Sequence, residues 1–264
     1  MPTMVETTLG LRRGPLLWKE GRVQPLHEKV FAITGASRGI GAATARLLAK
    51  EGCRLALGGR DATALAEVVR GVSEAGGEAA AVECDVRRYG DCERLVSEAV
   101  GRFGGLDGFV ANAGVGAYGE LLDLSLEQID DMLDSNARGT IYSVRAALPA
   151  LLEDGGGDLV IVASVAGLRG LPNESVYCAS KHAQVGFAES LDHELRPKGV
   201  RVTAMCPGGV ATEFAFGAGR EPGMPGLEEM MSAEQVAEAI VFTLRQDPEL
   251  RTLRLVVRPM SEPV

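Results

Sequence analysis

A doubly wound α/β fold is predicted, with one parallel sheet of seven strands and helices on both faces. Two observations carry the prediction. Seven short apolar runs recur along the 264 residues, with segments of helical periodicity between them. The glycine content is also high, at 34 residues, as a fold with many tight strand-to-helix turns requires. Apolar strands joined by amphipathic helices imply a parallel sheet covered on both sides, and right-handed crossovers make it doubly wound. One domain of this kind fits the length.

Residues 1–27 show no clear periodicity and read as a surface arm ahead of a domain spanning 28–264. The arm holds Arg12-Arg13-Gly14-Pro15 and Leu16-Leu17-Trp18, but Glu6 and Glu20 interrupt it and no cleavage site follows, so it is not read as a targeting segment. Trp18 is placed to pin the arm to the body or to a neighbouring subunit. Val30 to Thr34 reads as the first strand, followed by a glycine-rich turn and a helix to about Lys50. Arg54 to Gly58 is the second strand, and Asp61 to Ala75 a helix closed by Gly76-Gly77. Ala79 to Glu83 is the third strand and Asp91 to Phe103 the third helix. Phe109-Val110-Ala111 belongs to the fourth strand, and Ser125 to Leu152 makes one long helix. Asp158 to Ser164 is the fifth strand. Ser175 to Arg196 is helical, with Val176, Ala179, Ala183, Phe187, Leu191 and Leu195 as its apolar stripe and Pro197 as its stop. Arg201 to Met205, a helix from about Ala233 to Arg245, and Leu253 to Val257 complete the series.

Bulk properties narrow the function. The net charge is -9 with a pI of about 5.0, and without a basic stripe nucleic acid is not the main partner. No apolar run approaches the roughly 20 residues that span a bilayer. Five cysteines without C-x-x-C spacing argue against disulfides and zinc and make a cytoplasmic setting the default. Three scattered histidines offer no metal site.

In such folds ligands gather beyond the carboxyl ends of the strands. Thr34-Gly35-Ala36-Ser37-Arg38-Gly39-Ile40-Gly41 follows the first strand. Its glycines let the backbone approach a pyrophosphate, and the next helix offers free N–H groups. After the second strand, Gly59 stands where an NAD-binding protein commonly carries an acid. Arg60 follows it, and Arg38 lies in the glycine loop. Two guanidiniums suit a 2′-phosphate, which favours NADP(H). Asp61 is the rival, either reaching the ribose and favouring NAD(H) or serving as a helix N-cap. Asp85 and Val86 follow the third strand, where the carboxylate is placed to accept from an adenine amino group. Asn112-Ala113-Gly114 follows the fourth, with small residues that suit backbone passing against a cofactor. Ser164 follows the fifth strand. Pro207-Gly208-Gly209-Val210-Ala211-Thr212 follows the sixth, as a rigid turn with exposed amides. Tyr177 and Lys181, four apart on a helix, share a face. A phenol has an ordinary pKa of about 10, and a nearby ammonium lowers it, so this tyrosine is placed to exchange a proton with a carbonyl oxygen or an alcohol. Asn136 lies inside the long helix, where an asparagine is mildly unfavourable.

Taken together these residues resemble the short-chain dehydrogenase/reductase family from about Glu28 onward. The family's T-G-x-x-x-G-x-G is Thr34 to Gly41, and its N-A-G is Asn112 to Gly114. Its helix asparagine is Asn136, its serine Ser164, its Y-x-x-x-K Tyr177 and Lys181, and its P-G Pro207-Gly208. Ala111 stands where many members carry a second asparagine. The resemblance implies a Rossmann fold and hydride transfer between a nicotinamide and a carbonyl or alcohol carbon. Tyr177 is then the general acid or base, and Lys181 lowers its pKa and binds the nicotinamide ribose. Ser164 stabilises the substrate oxygen, and Asn136 holds a water that links Lys181 to solvent. Residues Pro207 to Thr212 contact the carboxamide. The nearest look is an NADPH-dependent 3-oxoacyl or general carbonyl reductase. The apolar, glycine-hinged segment 213–231, with Phe214 and Phe216, reads as a substrate lid. The resemblance also implies a homotetramer built through the helices at Ser125–Leu152 and Ser175–Arg196, where Ala146, Ala147, Ala183 and Gly186 would permit close contact. A non-catalytic NADP(H)-binding regulator is the rival function. A nucleotide-dependent epimerase or dehydratase would need a further substrate domain after Val257.

Overall fold

The computed structural model describes residues 23–262. Most of the expected arm, Trp18 included, lies outside the described residues. Packing begins by Leu26, which is buried, and Gln24 N–H donates to the Arg245 carbonyl at 2.9 Å.

The sheet has seven parallel strands in the order β3-β2-β1-β4-β5-β6-β7. They are β1 (Val30–Thr34), β2 (Arg54–Gly59), β3 (Glu78–Glu83), β4 (Gly108–Ala111), β5 (Gly157–Val162), β6 (Val200–Pro207) and β7 (Arg254–Val257). The helices are α1 (Gly39–Lys50), α2 (Ala62–Glu74), α3 (Tyr89–Phe103), α4 (Leu126–Met132), α5 (Gly139–Glu153), α6 (Ser175–Leu195) and α7 (Ala233–Leu244). The strand order reverses between β1 and β4, which opens a crevice at their carboxyl ends.

Each strand feeds two cores, because successive side chains point to opposite faces. Phe109, Leu159 and Ile161 pack on one face with Leu95 of α3, Val144 and Leu151 of α5, and Leu191 of α6. Val110, Val160 and Ile33 pack on the other with Leu48 of α1, Leu65 of α2 and Ile240 of α7. At the amino end of the sheet, buried Asp158 accepts from Arg201 Nε at 2.8 Å and Nη2 at 2.9 Å; burial raises its pKa, and the Arg201 bonds oppose that rise in part. That pair lies at the opposite end from the ligand crevice and acts on stability.

Two departures from expectation matter for the site. The helix expected over Ser125–Leu152 starts as expected, with Ser125 and Gln128 forming a capping box. It is then interrupted by a π-helical turn, Leu133–Arg138, which carries Asn136. Such turns break the regular bond ladder and often mark functional positions. The second departure is on α6. Ala179 and Ala183 of the expected apolar stripe are exposed, while Tyr177, Ser180, Lys181 and Gln184 face inward. Ala146 and Ala147, expected on an intersubunit surface, are buried in the chain's own core against α3 and the sheet. Ala183 and Gly186 do lie on the surface.

Candidate active site

The glycine loop after β1 is shaped by steric necessity. Gly35 has φ 64° and Gly39 φ 53°, in the left-handed region that favours glycine. A methyl group on Gly41 would fall 2.3 Å from the Gly35 carbonyl oxygen. Arg38 occupies the N-cap position of α1 in extended conformation without a side-chain cap, so the first amides of the helix are left to a ligand. Ile40 packs on the core, and Ser37 sits beside Gly59, where a side chain on Gly59 would approach its Cβ at 3.3 Å. These features form a cradle that fits a dinucleotide pyrophosphate.

Asn112 secures this loop from β4. Its Nδ2 donates to the Thr34 and Gly35 carbonyls at 3.0 Å each, while the Thr34 hydroxyl accepts from the Asn112 and Ala113 amides. Asn112 therefore acts on the loop's shape. Gly114 needs its small size, since a methyl there would lie 2.9 Å from Asn136 Oδ1 and 3.7 Å from Lys181 Nζ.

Asp61 caps α2, accepting from the Ala64 amide at 3.0 Å, so its carboxylate is already engaged. Arg60 is exposed beside it. Arg38 reaches Glu213 at 3.3 Å, with both side chains well exposed, a pairing worth little in water. Asp85 is held ionised, its pKa lowered chiefly by Arg87, which donates to it from Nε and Nη2 and also pairs with Asp131. Val86 packs against Gly139. In the turn after β6, most amides are bonded internally rather than exposed as expected. Gly208 N–H donates to Val257, Gly209 N–H to Glu262, Ala211 N–H to Met231 and Thr212 N–H to Val210. Thr212 faces the glycine loop, with its Cγ2 3.5 Å from where a Gly39 side chain would begin.

Tyr177, Lys181 and Ser164 meet at the carboxyl edge of β5 and β6. Tyr177 is 7 % exposed. The Tyr118 ring meets it edge-on at 5.6 Å, and Phe214 of the loop after β6 tilts over it at 5.9 Å. Arg220 lies over Tyr118 at 5.5 Å and donates to the Val210 carbonyl at 3.3 Å, which fastens the loop. Burial in this aromatic box raises the Tyr177 pKa well above 10, while the hydroxyl of Ser164 acts in the opposite sense. The expectation that Lys181 lowers it is not met in the chain by itself. Lys181 Nζ lies 5.6 Å from the centroid of the Tyr177 ring and donates to the Val162 carbonyl at 3.1 Å and to Gln184 Oε1 at 2.8 Å. Burial in turn brings the Lys181 pKa down to about 7. Ser164 accepts from the Ala166 amide at 3.1 Å and faces the Pro207 carbonyl at 3.5 Å, which ties β5 to the turn after β6.

Asn136 is fully buried. Its Oδ1 accepts from the Val115 amide at 2.8 Å, and its Nδ2 donates to the Val115 carbonyl and the Ser180 hydroxyl at 2.9 Å each. Both of its N–H donors are thus committed, and only an Oδ1 lone pair remains for a water. Asn136 joins the π turn, α6 and the loop following Gly114. Sequence reasoning did not single out Gln184, Thr140, Ser180 or Tyr118. The available signal was the i,i+3 spacing of Lys181 and Gln184, which places both on one face.

The family model described as short chain dehydrogenase matches residues 29–221. An uncharacterized oxidoreductase of Staphylococcus aureus (strain MW2) is 32% identical over 235 residues, covering 89% of this chain and 99% of the relative. An alcohol dehydrogenase from the archaeon Thermococcus sibiricus, solved with 5-hydroxy-NADP, superposes with a TM-score of 0.82 at 33% identity, covering 89% of this chain and 98% of that one. Carveol dehydrogenase from Mycobacterium avium, solved with NAD, gives 0.80 at 27% identity over 90% and 97% of the two chains. A glycine cradle at the β1–β4 crevice and a buried Ser–Tyr–Lys set beside it, with relatives matched over nearly their whole length, place the chain in the short-chain dehydrogenase/reductase family, and it is an oxidoreductase of that family.

Proposed function

We propose that the chain reduces a carbonyl substrate with NADPH, or oxidises the corresponding alcohol, with Tyr177 as general acid or base. The observation that carries this reading is the convergence of Ser164, Tyr177 and Lys181, all buried, beside the glycine cradle. When bound, the nicotinamide supplies or accepts the hydride. Residues Gly35 to Gly41, Arg60, Asp85, Val86, Gly114 and the turn Pro207 to Thr212 would hold the cofactor. Burial keeps Tyr177 a neutral phenol at neutral pH, the form that can give a proton to a carbonyl oxygen. The Ser164 hydroxyl can turn to the same oxygen as negative charge develops there. Lys181 stabilises the phenolate left behind, and Asn136 fixes the backbone on which Lys181 and the 114–115 turn depend.

NADP(H) is favoured by Arg38 and Arg60 flanking the end of β2, by Gly59 in place of an acid, and by the commitment of Asp61 to capping. The T. sibiricus relative was solved with an NADP derivative and the M. avium relative with NAD, so the two arginines carry the choice. Replacing both by alanine is expected to raise the KM for NADPH roughly tenfold or more, at about 1.4 kcal/mol per factor of ten, with little change for NADH. Equal KM changes for the two cofactors would reject the assignment.

Val115, Ala117, Tyr118, Leu171, Val176 and Phe214 cluster with Tyr177, so its surroundings are apolar and aromatic. They suit a lipophilic ketone, aldehyde or 3-oxoacyl thioester, with segment 213–231 as the lid. Val210 and Met231 bridge the base of this segment, and Phe214 reaches from it onto Tyr177. A homotetramer in the cytoplasm completes the reading. All five cysteines are free and buried, and no described helix is long and apolar enough to cross a membrane. Ile141 on α5 and Phe242 on α7 are exposed at 42% and 57%, leaving apolar surface on two sides for assembly. Light scattering should return four times the chain mass, and a monomer at assay concentration would refute the assembly.

A further inference from the structure

We propose that Gln184 is a positioning residue for Lys181: backed by Thr140, it fixes the place of the ammonium and holds charge on it. The proposal rests on Lys181 being the charged partner of Tyr177. Gln184 is 1% exposed, three residues along α6 from Lys181. Lys181 Nζ donates to Gln184 Oε1 at 2.8 Å, and Gln184 Nε2 donates to Thr140 Oγ1 of α5 at 2.6 Å. An ammonium has only donors, so it can meet only the amide oxygen. The amide orientation is thereby set, and its NH₂ must turn to Thr140. Helix α5 thus holds the amide, and the amide holds the amine.

The surroundings of Nζ make this contact count. Val162 offers a backbone carbonyl from β5, and the Tyr177 ring lies beside Nζ on α6. Cys206 faces it from β6, and the Asn136 amide and Gly114 backbone lie on the remaining side. Tyr177 and Cys206 are the titratable groups among these. The Asn136 and Ser180 side chains are tied to each other and to backbone, whereas the Gln184 oxygen is directed at the amine. In a buried site without a carboxylate partner, an acceptor bonded to the charged form opposes the burial that disfavours it. Loss of that acceptor should favour the neutral amine, and a carboxylate in its place should favour the ammonium.

The test reads Lys181 itself. The chain has five lysines, Lys19, Lys29, Lys50, Lys181 and Lys198, so carbon-13 at the lysine ε-carbon gives a sparse NMR spectrum. The Lys181 signal is assigned by its absence in Lys181→Met. In the unaltered chain its titration midpoint is expected at about 7. Gln184→Leu, close in volume, should lower the midpoint by about one pH unit, and Gln184→Glu should raise it. The pH at which kcat/KM falls should follow in the same two directions. Thr140→Val leaves Gln184 and Lys181 in place and should also lower the midpoint; it serves as the test if Gln184→Leu does not fold. Midpoints unmoved in the folded variants would overturn the proposal. A chain that reduces no carbonyl would defeat the reductase reading, while the titration would still decide the role of Gln184.

Discussion

Tyr177→Phe is expected to lower turnover of any carbonyl substrate by roughly a thousandfold, within the range that a positioned general acid contributes. Cofactor affinity should change little, because the lost atom is the phenol oxygen and the glycine cradle is untouched. The fold should hold as well. The Tyr118 and Phe214 rings pack on the aromatic ring of Tyr177. Phenylalanine keeps that packing, so thermal unfolding should shift by only a few degrees. The measurement is steady-state NADPH oxidation beside a cofactor titration on the same protein. Turnover within tenfold of the unaltered chain would remove Tyr177 from the chemistry.

Lys181→Met should abolish efficient turnover and at the same time stabilise the chain. The lysine is only 4% exposed, and burial lowers its pKa from 10.5 to about 7. Below pH 7 the amine is charged in both folded and unfolded states, and the folded state carries the full cost of burying that charge. Between pH 7 and 10.5 the folded chain sheds the proton while the unfolded chain keeps it, so stability rises with pH. Above 10.5 both forms are neutral and the difference is gone. Methionine removes the charge and keeps an apolar stem, so its advantage is on the order of 5 kcal/mol below pH 7 and fades as the pH rises toward 10. Denaturant unfolding at pH 6 and pH 9 checks the sign. An advantage that grows with pH, or a loss of stability at both, would mean that Lys181 is better satisfied than its surroundings indicate. An advantage present at pH 6 that shrinks by pH 9 would make Lys181 an instance of stability given up for function.

The sheet was legible because its signal is local. Apolar runs of strand length, several ended by glycine or asparagine, place each strand within about two residues of where it lies, and Ser125 and Asp61 cap their helices as their types suggest. The ligand side was legible for a related reason. The Gly35–Gly41 loop, Ser164 and the turn at Pro207 all follow strands, so locating the strands locates the crevice. What escaped depends on tertiary demand. The π turn at Leu133–Arg138 answers the need to seat Asn136 on Val115 and Ser180, and no periodicity announces it. On α6, the apolar stripe through Ala179 and Ala183 suggested the wrong inward face, because the true inward face carries Ser180, Lys181 and Gln184, polar residues satisfied by one another. Ala146 and Ala147 look like interface residues by size alone, yet α3 packs on them. The direction of the Tyr177 pKa is not legible in sequence, because spacing shows that an ammonium is near but not that it sits over the ring, nor that Tyr118 and Phe214 bury the phenol.

The most direct test follows deuterium from NADPH carrying it at the nicotinamide C4 into product, with a panel of lipophilic ketones, aldehydes and a 3-oxoacyl thioester. The account predicts that the label appears on the carbinol carbon of at least one product made by the unaltered chain, and that Tyr177→Phe forms almost none of it. Tight NADPH binding with no label transferred to any carbonyl, or equal transfer by Tyr177→Phe, would contradict it.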